Sequence, residues 1–401
     1  MQFKLLNFHK MVGGFATSLV GTFIPLMIYK ATGSVRLAGL FIVGECLSRL
    51  IFNHLFRKFC NNYPQIALCI RIIPLIIYNM TLIFLDKFML FGLIVCALTY
   101  GMSLSIKNNA QGVLLNYTSE KKTGKKIVAT RIIEYSSAII ACVTGGLFID
   151  WNQTALIILS VILYIVSVFP IFIYFIVNKT KKGFNKDFTS NVVIAFDKNP
   201  ELKSKRKNIV KDFILHYFVY YFLFCVIDNF TSLYSLYLFT DVPTFTIAGY
   251  LTAVFYVANF LGVLSVEIIS KKFDLKVVNA ICAIICAVPI IIIPFLQSYV
   301  PIYLLIFIFG YSYSICSYFM MNSILTKCKF ISANNRALLA RQDGINVGKM
   351  ITPLVIVLCG KILPVFFVMF VSLIGYAIYT LTMEEKMRKN LVDYIENNEI
   401  E

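Results

Sequence analysis

Long apolar runs alternate with short polar segments from one end of the chain to the other. A helix needs about 20 apolar residues to cross a bilayer, and twelve runs reach about that length. Open strands cannot span lipid, and the runs are far longer than barrel strands, so the pattern predicts twelve transmembrane helices, here called spans 1 to 12. Their predicted limits are 11–29, 35–56, 66–85, 88–115, 128–149, 153–177, 213–239, 246–269, 277–297, 301–325, 342–363 and 365–382.

The composition excludes several classes of protein. Of the 401 residues, 59% are hydrophobic and 14% are charged, whereas soluble domains carry about 25% charged residues. This excludes a soluble enzyme, a secreted disulfide scaffold and a DNA-binding domain, so no nucleic-acid partner is expected despite the net charge of +17. Most of the eleven cysteines lie in apolar runs and none forms a Cys-x-x-Cys pair, so no metal site is expected.

The basic residues are distributed unequally between the two sides of the predicted membrane. When both termini are placed in the cytoplasm, 29 of the 37 Lys and Arg lie in cytoplasmic segments and four lie in outer loops. Cytoplasmic loops carry an excess of Lys and Arg. The asymmetry and the even number of spans therefore predict that both termini are cytoplasmic.

A basic segment at 178–212 divides the chain into two six-span halves, 1–177 and 213–382, followed by an acidic tail at 383–401. Short matches recur between the halves at the same offset of 214 residues: Thr17-Ser18-Leu19 matches Thr231-Ser232-Leu233, and Arg57-Lys58-Phe59 matches Lys271-Lys272-Phe273. These matches indicate an internal duplication. Two parallel six-helix repeats are one architecture of alternating-access transporters, with the substrate site between the halves.

At this point the chain resembles the major facilitator superfamily over nearly its whole length. Twelve spans, a basic central loop and cationic loops after spans 2 and 8 are all features of that family. Its loop signature, Gly-x-x-x-Asp-Arg-x-Gly-Arg-Lys, corresponds to the segment from Asn53, with Lys58 in a basic position and Arg57 in place of the Asp. The resemblance implies an all-α membrane protein of two pseudo-symmetric six-helix bundles, with gating roles for Arg57, Lys58, Lys271 and Lys272.

Three further motifs are similar to those of drug/proton antiporters within this family. The small residues of the antiporter signature in span 5 appear as Ser137-x-x-x-Ala141-Cys142-x-x-Gly145-Gly146. Lys107-x-x-x-Gln111 in span 4 is close to the family's Arg-x-x-Gln-Gly motif. The Thr32-Gly33-Ser34 turn resembles that of the macrolide-efflux-like branch. The resemblance implies proton-coupled efflux.

Ionisable residues inside the bilayer are costly and usually functional. Glu45 and Arg49 are i,i+4 neighbours in span 2, so they are interpreted either as a self-neutralising structural pair or as a proton-switchable pair. Asp228 lies halfway along span 7 with no cation within a turn on its own helix. We expect Asp228 to be the proton-coupling site, with a helix-packing role as the alternative.

Polar and aromatic residues in the spans provide the other candidates. We expect the substrate to bind Lys107, Asn108 and Gln111 in span 4, Asn229 and Tyr234 in span 7, Tyr311 and Tyr313 in span 10, and Lys349 in span 11. Lys residues can instead snorkel to the interface, and aromatic residues also favour the lipid boundary. Two pairs that begin spans 5 and 11, Arg131 with Glu134 and Arg341 with Asp343, are expected to form cytoplasmic gate or interface pairs rather than to bind substrate.

Together these features predict a secondary active transporter of a bacterial cytoplasmic membrane that acts as a monomer and exports an amphipathic drug, toxin or peptide-like molecule, using protons. Two alternatives remain open: an importer of a nutrient or lysolipid, and a non-transporting receptor or immunity protein that retains the fold. No phosphate-binding loop, catalytic triad or His-rich cluster appears in the sequence. We therefore expect no enzymatic activity, no cofactor and no direct use of ATP.

Overall fold

A computed structural model describes residues 2–85, 87, 89–116, 123–178, 200–241, 244–296, 298–331 and 334–396, and all the regular secondary structure in these ranges is helical. The predicted all-α fold is confirmed. In chain order the helices are α1 (Gln2–Gly21), α2 (Ile24–Thr32), α3 (Val35–Leu55), α4 (Arg57–Asn62), α5 (Pro64–Ile70), α6 (Ile72–Ile83), α7 (Met89–Asn116), α8 (Thr123–Asn178), α9 (Pro200–Cys225), α10 (Phe230–Phe239), α11 (Phe245–Lys272), α12 (Leu275–Ile292), α13 (Tyr299–Ile331), α14 (Asn334–Cys359) and α15 (Leu363–Glu396).

Within the described residues, nine helical stretches are long and apolar enough to cross a membrane. They cover ten of the twelve predicted spans, because the stretch Val128–Ile173 contains spans 5 and 6. Spans 2 and 11 correspond to α3 and α14, which are helical but carry buried or half-buried charges. The chain is therefore a multi-pass membrane protein whose helices are consistent with twelve spans.

Two proline residues and one asparagine explain where individual spans are interrupted. Proline lacks an N–H donor and its ring clashes with the carbonyl of residue i−4. Pro25 follows the break between α1 and α2, and Pro74 follows the break between α5 and α6. Within α8, Asn152 has non-helical φ and ψ of −155° and 97°, and its side chain accepts a hydrogen bond from the N–H of Ala155. This kink separates spans 5 and 6 where the sequence predicted the boundary.

Two helices are longer than the spans predicted for them. Most of the predicted linker at 178–212 lies outside them, but α9 begins at Pro200 and thus contains the end of that linker. The last helix continues to Glu396, well beyond the predicted end of span 12 at residue 382.

The helices of the second half have the same neighbours as those of the first. Span 1 packs on α8, as span 7 packs on α14, and span 2 packs on span 4, as span 8 packs on span 10. Between the halves, α3 packs on α14 and α8 packs on α11. These two contacts hold the halves together along the centre of the molecule.

The halves are in backbone contact near the predicted outer ends of the helices. A Cβ atom on Gly249 would lie 2.5 Å from the carbonyl oxygen of Cys142, and one on Gly146 would lie 2.8 Å from that of Phe245. Small residues permit such backbone contact between membrane helices. The carboxylate of Asp150 accepts hydrogen bonds from the first N–H groups of α11 and so closes the same end.

Candidate functional site

Span 7 is interrupted at its centre, between the end of α9 at Cys225 and the start of α10 at Phe230. Short i to i−3 hydrogen bonds replace the α-helical ones there, including Asp228 N–H to the Cys225 carbonyl at 3.2 Å. No proline or glycine lies in the break. Asp and Asn side chains compete for backbone hydrogen bonds and disfavour helix interiors, and both occur here as Asp228 and Asn229. Interrupted spans are typical of binding sites in transporters.

The Asp228 carboxylate is buried and is bound by two other helices. Its Oδ2 lies 3.0 Å from Nζ of Lys349 in α14, and its Oδ1 accepts a hydrogen bond of 2.7 Å from the Tyr313 hydroxyl in α13. The neighbouring Asn229 amide donates to the Lys349 carbonyl at 2.7 Å. Four predicted site residues therefore meet at one place, here called the central site. The sequence suggested a lone carboxylate, and the structure corrects this, because the partner cation comes from a different helix.

A second ion pair lies beside the central site. Glu45 and Arg49 contact each other within α3, as their i,i+4 spacing predicts, and both side chains are largely buried. Because α3 packs on α14, Arg49 comes close enough to Lys349 for the two cations to repel each other. The predicted proton-coupling residues of the two halves thus face one another across the interface.

Two of the predicted substrate-binding tyrosines point elsewhere. Tyr311 donates a hydrogen bond of 2.8 Å to Ser265 in α11, because residues i and i+2 lie on different faces of a helix and Tyr313 already faces Asp228. Tyr234 packs among aromatic rings, including Phe230 at 6.1 Å and Phe366 at 6.2 Å. These positions separate both tyrosines from the central site.

Lys107, Asn108 and Gln111 lie in α7, within the first half, and none of them contacts the central site. Lys107 and Gln111 are one helical turn apart on the same face. Gln111 is buried and its side-chain nitrogen has no hydrogen-bond partner among the described residues. The structure therefore divides the predicted substrate-binding residues between two places.

The two predicted gate pairs have different outcomes. Arg131 lies 3.6 Å from Glu134, so the first pair forms. Arg341 and Asp343 do not pair, because residues two apart point away from each other on a helix. Asp343 instead lies 3.2 Å from Nε2 of His54 in the other half, and Arg341 lies over the ring of Tyr221.

The cationic loop residues also have different surroundings. Arg57 is close enough to Asp343 for electrostatic attraction, which places it at the predicted cytoplasmic end of the contact between α3 and α14. Lys58 and Lys272 are exposed. The side chain of Lys271 lies outside the described residues.

Sequence reasoning missed three residues of the first half: His9, Lys10 and Arg71. Lys10 forms an ion pair of 3.0 Å with the predicted gate residue Glu134, and Arg71 lies 3.4 Å from His9. Each of these two contacts joins distant parts of the chain. A signal was present for Arg71, which is a charge inside a predicted span, but nothing in the sequence indicated its neighbours.

Two packed helical units with charged residues buried where they meet define a polytopic membrane transporter. The model of the Major Facilitator Superfamily matches residues 8–339, and the chain belongs to this family. It is a transporter of a family that carries small molecules, and not an enzyme.

Solved structures agree with this fold. A bacterial homologue of the iron transporter ferroportin in its outward-facing state has a TM-score of 0.67 and 12% identity, over 97% of this chain and 100% of that one. The E. coli fucose:proton symporter has a TM-score of 0.57 and 13% identity, over 94% of this chain and 97% of that one. The nucleoside transporter NupG has a TM-score of 0.62 and 13% identity, over 95% of this chain and 98% of that one. At these identities the likeness concerns the fold alone. No curated protein sequence matches the chain.

Proposed function

We propose that this protein is a proton-coupled secondary transporter in a bacterial cytoplasmic membrane, with both termini in the cytoplasm, and that it exports an amphipathic drug, toxin or peptide-like molecule. The observation that carries the proposal is the buried carboxylate of Asp228, held by Lys349 and Tyr313 within a break of span 7. Ionisable residues are retained inside a membrane mainly where they take part in transport.

Proton binding at Asp228 would change the contacts between three helices. The ionised carboxylate attracts Lys349 and accepts the Tyr313 hydroxyl, so it links span 7 to spans 10 and 11. Protonation removes the negative charge and leaves Lys349 with only its neighbouring cation, Arg49. Lys349 would then move away from Asp228, and this movement provides the differential contact that a switch between two conformations requires.

The closed end of the molecule supports export as the direction of transport. The halves are in backbone contact near Gly249 and Gly146. At the same end, the ring centroids of Tyr29 and Phe239 are 6.2 Å apart. In an exporter with this end outside, such a state has released its proton to the cytoplasm and is ready to load substrate. The ion pair at Asp228, which requires an ionised carboxylate, fits that step.

Proton coupling is favoured over a metal cargo. Among the described residues, no three His, Cys, Asp or Glu side chains are grouped so that they can hold a metal ion. Asp228, the carboxylate of the central site, already forms an ion pair with Lys349. One structural neighbour is a fucose:proton symporter.

The test is Asp228→Asn in proteoliposomes with an imposed pH gradient, using a fluorescent lipophilic cation and a fluorescent carboxylate dye as probes. We expect the variant to lose accumulation driven by the pH gradient while it retains substrate exchange without a gradient, because Asn preserves shape but carries no proton. The matched control is Asp241→Asn, since Asp241 is an exposed acid at the end of the same span. Unchanged uphill transport in Asp228→Asn would eliminate the proposed role.

Cells that express the protein separate export from the two alternatives. Export predicts lower accumulation of a transported dye, restored by an uncoupler. Import predicts higher, proton-dependent accumulation. A receptor predicts dye binding to the purified protein without flux in proteoliposomes. Either of the last two results would overturn the proposal of export.

A further inference from the structure

The first half contains a buried group of basic side chains that its own carboxylates do not neutralise. Arg71 and His9 are each 1% exposed, and Lys10 is 6% exposed. Lys107 is close enough to Arg71 and Lys10 to be repelled by both, and close enough to Glu134 to be attracted by its carboxylate. We call these four residues, together with Glu134, the basic pocket. Glu134 is its one carboxylate among the described residues, and it already binds both Lys10 and Arg131.

Arg71 is the least satisfied member of the pocket. A guanidinium has five N–H donors and remains charged in proteins. Arg71 makes one hydrogen bond within the described residues, to His9, and its Nε has no partner. It also lies 6.0 Å from the ring centroid of Tyr164. A charge buried without a compensating partner is strongly unfavourable, so the protein alone does not account for this arginine.

His9 orients Arg71 but does not neutralise it. The Nδ1 of His9 lies 3.2 Å from the carbonyl oxygen of Ser167, which can only accept, so Nδ1 carries the proton. Nε2 is then the unprotonated nitrogen and accepts from Arg71. The imidazole is neutral in this arrangement, and it fixes the direction of the guanidinium without adding negative charge.

The remaining unpaired groups of the pocket are donors as well. Lys107 forms no ion pair with a described residue, and the Gln111 side-chain nitrogen on the same face of α7 is buried without a partner. Arg71, Lys107 and Gln111 therefore all require acceptor atoms. A group with several acceptor oxygens and a negative charge would satisfy all three.

The pocket adjoins the interface between the halves. Glu134 and Arg131 are partly exposed, with 27% and 33% of their side-chain surface accessible. Tyr135, which follows Glu134 in α8, packs against Tyr256 of the second half with ring centroids 6.0 Å apart. A ligand that enters between the halves thus has access to the basic pocket on one side and to Asp228 on the other.

We infer that the basic pocket binds an oxyanion, a carboxylate or phosphate group, and that this group belongs to the transported molecule. The inference deepens the proposed function and rests on it for the identity of the ligand, but the binding of the anion can be measured without transport. It narrows the substrate to amphipathic molecules with an acidic group.

The test uses purified protein in nanodiscs of neutral phosphatidylcholine, titrated with inorganic phosphate or acetate against chloride at constant ionic strength. We expect phosphate or acetate to raise the unfolding temperature saturably above the chloride value, because a ligand that binds only the folded state stabilises it. Lys107→Gln and Arg71→Gln should weaken the apparent affinity about tenfold or more, since each removes a charge-assisted hydrogen bond. The exposed Lys361→Gln is the matched control.

Several outcomes would overturn the inference. It fails if chloride matches phosphate and acetate in the wild type, or if Lys107→Gln binds like Lys361→Gln. Lys107 is only partly buried, so its variant remains informative if Arg71→Gln does not fold. Nanodiscs with phosphatidylglycerol identify the source: a phosphate effect that vanishes there assigns the pocket to a lipid headgroup and excludes a soluble substrate. Anion binding without pH-driven flux would contradict the proposed function alone.

Discussion

The two halves share their helix packing but differ in the charges that they bury. Among the described residues, the charged side chains that are buried or half-buried and lie beyond the first and last turns of the spans are three cations and two carboxylates in the first half, and one of each in the second half. These are Arg49, Arg71 and Lys107 with Glu45 and Glu134, and then Lys349 with Asp228.

This difference shows that the two repeats keep the same helix packing while their buried charges differ. Equivalent helix contacts are satisfied by small and apolar residues in both halves. The second half neutralises its central carboxylate internally, through Lys349. The first half keeps an excess of positive charge around Arg71. The second half is therefore suited to a protonation switch, and the first half to holding a negatively charged group.

The largest effect is expected from breaking the ion pair of the second half. Lys349→Met leaves Asp228 buried without its cation, and removing one partner of a buried pair costs about 3–5 kcal/mol. Because 23% of the Lys349 side chain is exposed, the loss should fall near the lower end of that range. Reversible unfolding in mixed micelles measures it.

The double variant Asp228→Asn with Lys349→Met is the control for this prediction. It removes both charges and should recover part of the lost stability, because no unpaired charge remains. If the single variant is as stable as the wild type, the two halves do not differ in how they neutralise their charges.

Arg71→Met should raise the free energy of unfolding, whereas Lys349→Met should lower it. In the absence of ligand, this substitution removes a buried cation with no carboxylate partner and relieves its repulsion with Lys107. We expect the ligand-free protein to gain about 1–2 kcal/mol, in line with apolar replacements of buried charges. The same unfolding measurement compares it with Lys349→Met. A loss of stability in Arg71→Met would show that this arginine supports the fold and would erase the contrast between the halves.

The sequence predicted local features well because they depend on neighbouring residues. The apolar runs gave the spans, and i,i+3 or i,i+4 spacing gave the contacts Glu45–Arg49 and Arg131–Glu134. Thr32-Gly33-Ser34 also has a local cause: Gly33 ends α2 with a φ of 65°, and the Ser34 side chain accepts from the N–H of Leu37 at the start of α3.

The central site and the basic pocket could be predicted only in part, because their contacts join distant residues. Asp228 meets Lys349 from another span, and His9 meets Arg71 after four intervening helices. No local pattern encodes either contact. The prediction of an Arg341–Asp343 pair failed because adjacent charges in sequence were paired without regard to the faces of their helix.

The contrast between Tyr313 and Tyr311 sharpens the description of the central site. Tyr313→Phe removes a hydrogen bond to the ionised Asp228 carboxylate, which is worth about 1.5–3 kcal/mol for a charged acceptor. Tyr311→Phe is the matched control two residues away, because its hydroxyl bonds to the neutral Ser265, and it should cost only about 1 kcal/mol. We expect Tyr313→Phe to lower the rate of pH-driven transport more than Tyr311→Phe, because Tyr313 contacts the carboxylate that is proposed to carry the proton. Transport rates of the two variants under the same imposed pH gradient provide the measurement. Equal rates would mean that Tyr313 has no part in proton coupling.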